Sequence, residues 1–102
     1  PRAKAMYERS AQVRNNHGYI TQVALLRLGQ GAEQAGNFDT ATEWYRQASL
    51  IDRPGKGEAL LALGEVAERN QDTETSATSY EDLLEQYPES PLAELIKAKK
   101  QR

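Results

Sequence analysis

Leu25-Leu26-Arg27-Leu28-Gly29-Gln30-Gly31-Ala32 is followed by Ala41-x-x-x-Tyr45-x-x-Ala48, and the chain then repeats itself. Thirty-five positions later come Leu60-Leu61-Ala62-Leu63-Gly64-Glu65-Val66-Ala67 and Ser76-x-x-x-Tyr80-x-x-Leu83. Self-similarity at this period marks a helical repeat array, whose units cannot bury their apolar faces alone and stack to do so. Gly29 and Gly64 stand inside helical patterns, where glycine costs about 1 kcal/mol relative to alanine. A cost accepted twice at matched positions implies a close helix crossing. Ala41 and Ser76 read the same way, as small residues that let the second helix of each unit approach the first. Tyr45 and Tyr80 then fill the space between repeats; the alternative for each is a place on the surface.

Composition narrows the classes. The 102 residues are near the size of one domain. A modest apolar content suits a solenoid, which buries one stripe per repeat. The net charge is −2, and the one dense basic run is Lys97-Ala98-Lys99-Lys100-Gln101-Arg102, so nucleic acid is not an expected partner. The chain has no cysteine, which removes disulfides and thiolate metal sites. No stretch approaches the roughly 18 apolar residues of a membrane span, and no signal peptide is evident.

Working outward, six helices are expected. Residues 3–14 hold Ala3-x-x-x-Tyr7-x-x-Ser10, the second-helix pattern again, and read as a half repeat. With no Met before Pro1, this suggests a piece of a longer protein. Asn15-Asn16-His17-Gly18 reads as a turn. A helix over 19–35 puts Val23, Leu26 and Gln30 on one face and Leu25, Leu28 and Ala32 on the other. Gly36-Asn37 supplies a C-cap. A helix over 38–51 ends at Asp52-Arg53-Pro54-Gly55. The next spans 57–69, Asn70-Gln71-Asp72 is a turn, and a fifth helix runs 73–86. Its first half, Thr73 to Ser79, is poor in helix formers, so fraying or a shifted boundary is expected there. Ser90 as N-cap with Pro91 at the first helical position opens the last helix. Leu92, Leu95 and Ile96 give it an apolar stripe that covers the end of the array, or else begins a further repeat.

The two blocks resemble the tetratricopeptide repeat. Its framework is large-x-x-Leu-Gly in helix A, Ala-x-x-x-aromatic-x-x-Ala in helix B, and a closing Pro. Leu25, Leu28, Gly29, Gly36, Ala41, Tyr45, Ala48 and Pro54 match in the first unit; Leu60, Leu63, Gly64, Tyr80 and Pro88 match in the second. Ser76, Leu83 and Gln71 depart from it, as do Ala32 and Ala67 at the usual helix A aromatic. The resemblance implies an all-α, helix-turn-helix solenoid with a right-handed superhelix. It would have about six antiparallel helices in one domain: a half repeat at 1–14, repeats at 19–53 and 55–88, and a capping helix at 90–101.

It also implies a protein–protein interaction scaffold whose concave groove takes a peptide or helix of a partner. Carried over, the groove residues are Val23, Leu26, Arg27, Gln30, Glu33 and Gln34 in the first repeat. In the second they are Glu58, Leu61, Glu65, Glu68 and Arg69. The family's carboxylate clamp is not expected, because Arg27 and Ala62 stand at its Asn position. A ligand with apolar anchors and some basic character suits the groove better. Tyr87-Pro88-Glu89-Ser90-Pro91-Leu92-Ala93 is similar to the closing motif of bacterial envelope repeat proteins, such as Tol-Pal accessory proteins and periplasmic subunits of the translocon. It favours a periplasmic or membrane-associated setting over the cytoplasm.

Catalysis finds little footing. His17 is alone in a turn. Glu58, Glu65 and Glu68 fall near one helix face without a His companion, so they read as a solvated acidic face. Gly55-Lys56-Gly57 lacks the residues of a phosphate loop. No enzyme activity, cofactor or metal is expected. The alternative function is self-association, through exposed repeat ends or the half repeat, into a homo-oligomer.

Overall fold

The computed structural model describes the backbone of residues 2–100 and the side chains of residues 18–100. Its elements are α1 (Arg2–Gln34), α2 (Phe38–Ser49), α3 (Lys56–Arg69), α4 (Thr73–Gln86) and α5 (Pro91–Lys100). The turn expected at Asn15–Gly18 is absent, because α1 runs straight through it, so five helices replace six. Physical chemistry permits this. Asn, His and Gly lower helix propensity by up to about 1 kcal/mol each, but none removes a backbone donor as proline would. The side chains of the expected half repeat and of His17 lie outside the described residues.

Consecutive helices form two hairpins, α1–α2 and α3–α4, closed by the same turn. Asn37 N–H donates to Ala32 O at 2.8 Å and Gly36 N–H to Glu33 O at 3.0 Å. In the second hairpin Asp72 N–H donates to Ala67 O at 2.8 Å and Gln71 N–H to Glu68 O at 3.1 Å. This paired capping needs a left-handed residue after the helix. Gly36 supplies it at φ 81°, and Gln71 adopts it at φ 60° despite its Cβ. The helix α4 nonetheless begins at Thr73, where the Asp72 carboxylate accepts from Thr75 N–H at 3.1 Å and satisfies one of the free first-turn donors. Ser90 Oγ likewise accepts from Leu92 N–H at 3.1 Å and caps α5.

Packing follows the repeat. A Cβ built on Gly29 would run into the Tyr45 ring, and one on Gly64 into the Tyr80 ring. Each tyrosine therefore lies across the glycine of its own hairpin. Tyr45 also belongs to the cluster that joins α2 to α3, with Ala41, Ala48, Ala59, Leu63 and Val66. A second cluster, Leu60, Tyr80, Leu83, Ala93 and Ile96, seats α5 on the last hairpin. Among the described residues α1 touches α3 and α3 touches α5, whereas α2 and α4 do not meet. Helices α1, α3 and α5 thus form the inner layer of a curved stack. The molecule is elongated, with a radius of gyration of 16.1 Å, against about 13 Å for a compact chain of this length.

Candidate interaction surface

The inner layer presents a ladder of charges running across the helices. On α1, Glu33 accepts from the Tyr45 hydroxyl at 2.9 Å and pairs with Arg69 of α3 at 2.9 Å. On α5, Lys99 lies 3.6 Å from Glu65 and 3.7 Å from Glu68, both on α3. Lys99 also donates to the Tyr80 hydroxyl at 3.3 Å, with its ammonium 5.6 Å from the ring centre. The repeat shapes the ladder: each phenol crosses its glycine and meets a carboxylate on the inner face. Burial, then the hydrogen bond to Glu33, pushes the Tyr45 phenol well above its ordinary value; burial and then Glu68 do the same to Tyr80. Between α3 and α5 the surface dips into a shallow depression lined by Leu61, Glu65, Leu95, Ala98 and Lys99.

The groove residues expected from sequence fall out unevenly. Arg27, Gln30 and Gln34 are exposed on α1, and Val23 and Glu33 are half-buried. Glu58, Glu68 and Arg69 are exposed on α3, and Leu61 and Glu65 are half-buried. Leu26 is the correction. It is only 6% exposed and belongs to the α2–α3 core cluster, so it is no part of an open groove floor. The two expected faces of this helix are also not both packed: Leu28 is 49% exposed.

Two contributors to the inner face were not singled out as groove residues. Leu95, expected to pack inward with Leu92 and Ile96, is 54% exposed and lines the depression, while Ala93 turns inward instead. Lys99, read as part of a basic tail, bridges to α3. A third residue holds the layers in place. Gln22 is fully buried; its amide donates to Ala48 O at 3.2 Å and Ile51 O at 2.8 Å, and its oxygen accepts from Gly55 N–H at 2.8 Å. It closes the link between α2 and α3. No pattern in the sequence marks it, because one glutamine in an amphipathic helix looks like a surface residue.

Among the described residues no group of His, Cys, Asp and Glu could hold a metal ion, and no helix is long and apolar enough to cross a membrane. Stacked helical hairpins with an open charged inner face define a helical-repeat protein. The family model described as tetratricopeptide repeat matches residues 58–90. The same framework stands 35 positions earlier, so the chain carries a tetratricopeptide repeat and a second segment similar to it; such repeats are protein–protein interaction modules that are typically non-catalytic. No curated protein and no solved structure matches the chain.

Proposed function

We propose that the inner face of α1, α3 and α5 receives a peptide or helix of a partner protein. The partner would set an apolar anchor into the depression between α3 and α5. The observation that carries this reading is the half-exposed Leu61–Leu95 pair beside Glu65 and Lys99. An apolar floor with a charged rim suits an amphipathic segment. Glu65 and Glu68 already share Lys99, so a basic residue on the ligand competes with that lysine for them. Such exposed pairs contribute at most about 1 kcal/mol each, and exchange of partners is easy. The Tyr87–Ala93 closing motif supports a bacterial envelope assembly as the setting.

The test is capture of partners from bacterial envelope and lysate fractions by the wild type and by a Leu61→Gln, Leu95→Glu double variant. Exposed Thr78→Glu on α4 serves as the outer-face control. Loss of captured protein by the double variant alone, with helicity unchanged by circular dichroism, is the expected result. Capture of the same set by both variants and the wild type overturns the reading.

A further inference from the structure

Ile20, Ala24, Leu28 and Gly31 follow one another at four, four and three positions along α1, which places them on one helix face. All four are exposed, Ile20 by 63%. Gly31 is the telling member. Among the described residues a Cβ there would meet nothing within 4 Å, so none of their contacts demands the glycine, although it costs the helix about 1 kcal/mol. A glycine placed on an apolar helix face suits a second helix coming close.

The second repeat shows which kind of helix that is. Ala59, Leu63 and Val66 stand 35 positions beyond Ala24, Leu28 and Gly31, and all three are buried. They are covered by α2, whose residues in the same cluster are Ala41, Tyr45 and Ala48. The chain contains that small-x-x-x-Tyr-x-x-small pattern once more, at Ala3, Tyr7 and Ser10. Antiparallel pairing of 41, 45 and 48 with 66, 63 and 59 keeps the sum of residue numbers nearly constant. Pairing of 3, 7 and 10 with 31, 28 and 24 does the same.

Residues 3–10 and the exposed stripe lie in one unbroken helix, so the pattern cannot reach the stripe of its own chain. It can reach that of another copy. We propose that two chains associate antiparallel through α1, the segment around Ala3, Tyr7 and Ser10 of each taking on the other the place that α2 takes on α3. The helix spans residues 2–34, so its midpoint lies at residue 18, close to where this pairing sets the two-fold axis. Closed two-fold symmetry satisfies both stripes at once.

Light scattering on the 102-residue chain should give twice its 11.4 kDa mass. An Ile20→Glu, Leu28→Glu variant should weaken dimerisation by roughly a hundredfold or more, with helicity retained, since neither side chain is in the core. A Ser10→Cys, Ala24→Cys chain, otherwise free of cysteine, should oxidise to a covalent dimer. A concentration-independent monomer overturns the proposal, as does a dimer insensitive to the two glutamates. A disulfide formed within one chain overturns it too, by showing that residues 3–14 fold back on their own stripe.

Discussion

The two hairpins are built on one framework and finished differently. Leu63 is 5% exposed and Leu28 49%, although they occupy the same repeat position. The difference is the neighbour: α2 lies over Leu63, and among the described residues no helix covers Leu28 in the same way. The hairpins also differ where they join the next element. Gln22 ties the end of α2 to Gly55 by three hydrogen bonds. Its counterpart 35 positions on is Gly57, in ordinary contact with Tyr87 and Leu92. One junction is closed by a buried polar clamp, the other by an aromatic and a leucine. A repeat position therefore fixes which backbone approaches are possible, while its energetic weight depends on what is stacked against it.

The largest expected effect tests that statement directly. Leu63→Ala should destabilise the chain by about 2–5 kcal/mol, the usual cost of a cavity at a buried leucine. Leu28→Ala should stay within about 0.5 kcal/mol in the monomer. Urea unfolding of both variants measures the contrast; equal losses would mean that Leu28 is buried in solution.

Next come the junctions. Gln22→Leu leaves the Gly55 N–H without its acceptor, while Ala48 O and Ile51 O keep their bonds from Ile51 N–H and Arg53 N–H, and should cost about 1–3 kcal/mol. Gly55→Ala would press its Cβ to 2.6 Å from Gln22 Oε1 and should also destabilise. Gly57→Ala meets nothing nearer than 3.6 Å and should be neutral or stabilising by up to about 1 kcal/mol through helix propensity. Opposite signs for these two glycines in thermal melts are the expected outcome.

Smaller is the exchange of turn residues. Gln71→Gly removes the Cβ from a left-handed position and should stabilise by roughly 1 kcal/mol, while Gly36→Gln should destabilise by a similar amount. If both substitutions lower the melting temperature, the two turns are not equivalent.

The last effect is set by pH. The Tyr45 and Tyr80 phenols have folded pKa values above the unfolded value of 10.0. Their contribution to stability is complete below pH 10 and is lost as pH rises towards the folded values. Alkaline titration followed by tyrosine absorbance should show these two of the five tyrosines ionising only as helicity falls. At the other end Asp72, held below 3.8 by its hydrogen bonds to Thr75, supports the start of α4 above that pH. That support fades as pH falls through the lowered value.

Much of this was legible because the repeat encodes short-range geometry. Gly29 with Tyr45 and Gly64 with Tyr80, the Gly36 turn, and Ser90-Pro91 at the start of α5 follow from spacing and residue type. Leu26 and Leu28 were harder. They lie two residues apart on a helix with apolar positions on both sides, and only the position of α3 decides that Leu26 is covered and Leu28 open. The run Asn15-Asn16-His17-Gly18 looks like a turn by composition, yet composition lowers helix stability there without forbidding the backbone hydrogen bonds.

By itself, then, the sequence determined the helical repeat, its period, the close crossings at two glycines and the likeness of residues 3–10 to a second helix, because each depends on local sterics and periodicity. Tertiary structure decided that α1 is one helix, that Gln22 is a buried clamp, that Lys99 and Leu95 belong to the inner face, and that among the described residues one apolar stripe is exposed. Those outcomes depend on which helix lies beside which, and burial is a property of neighbours rather than of residues.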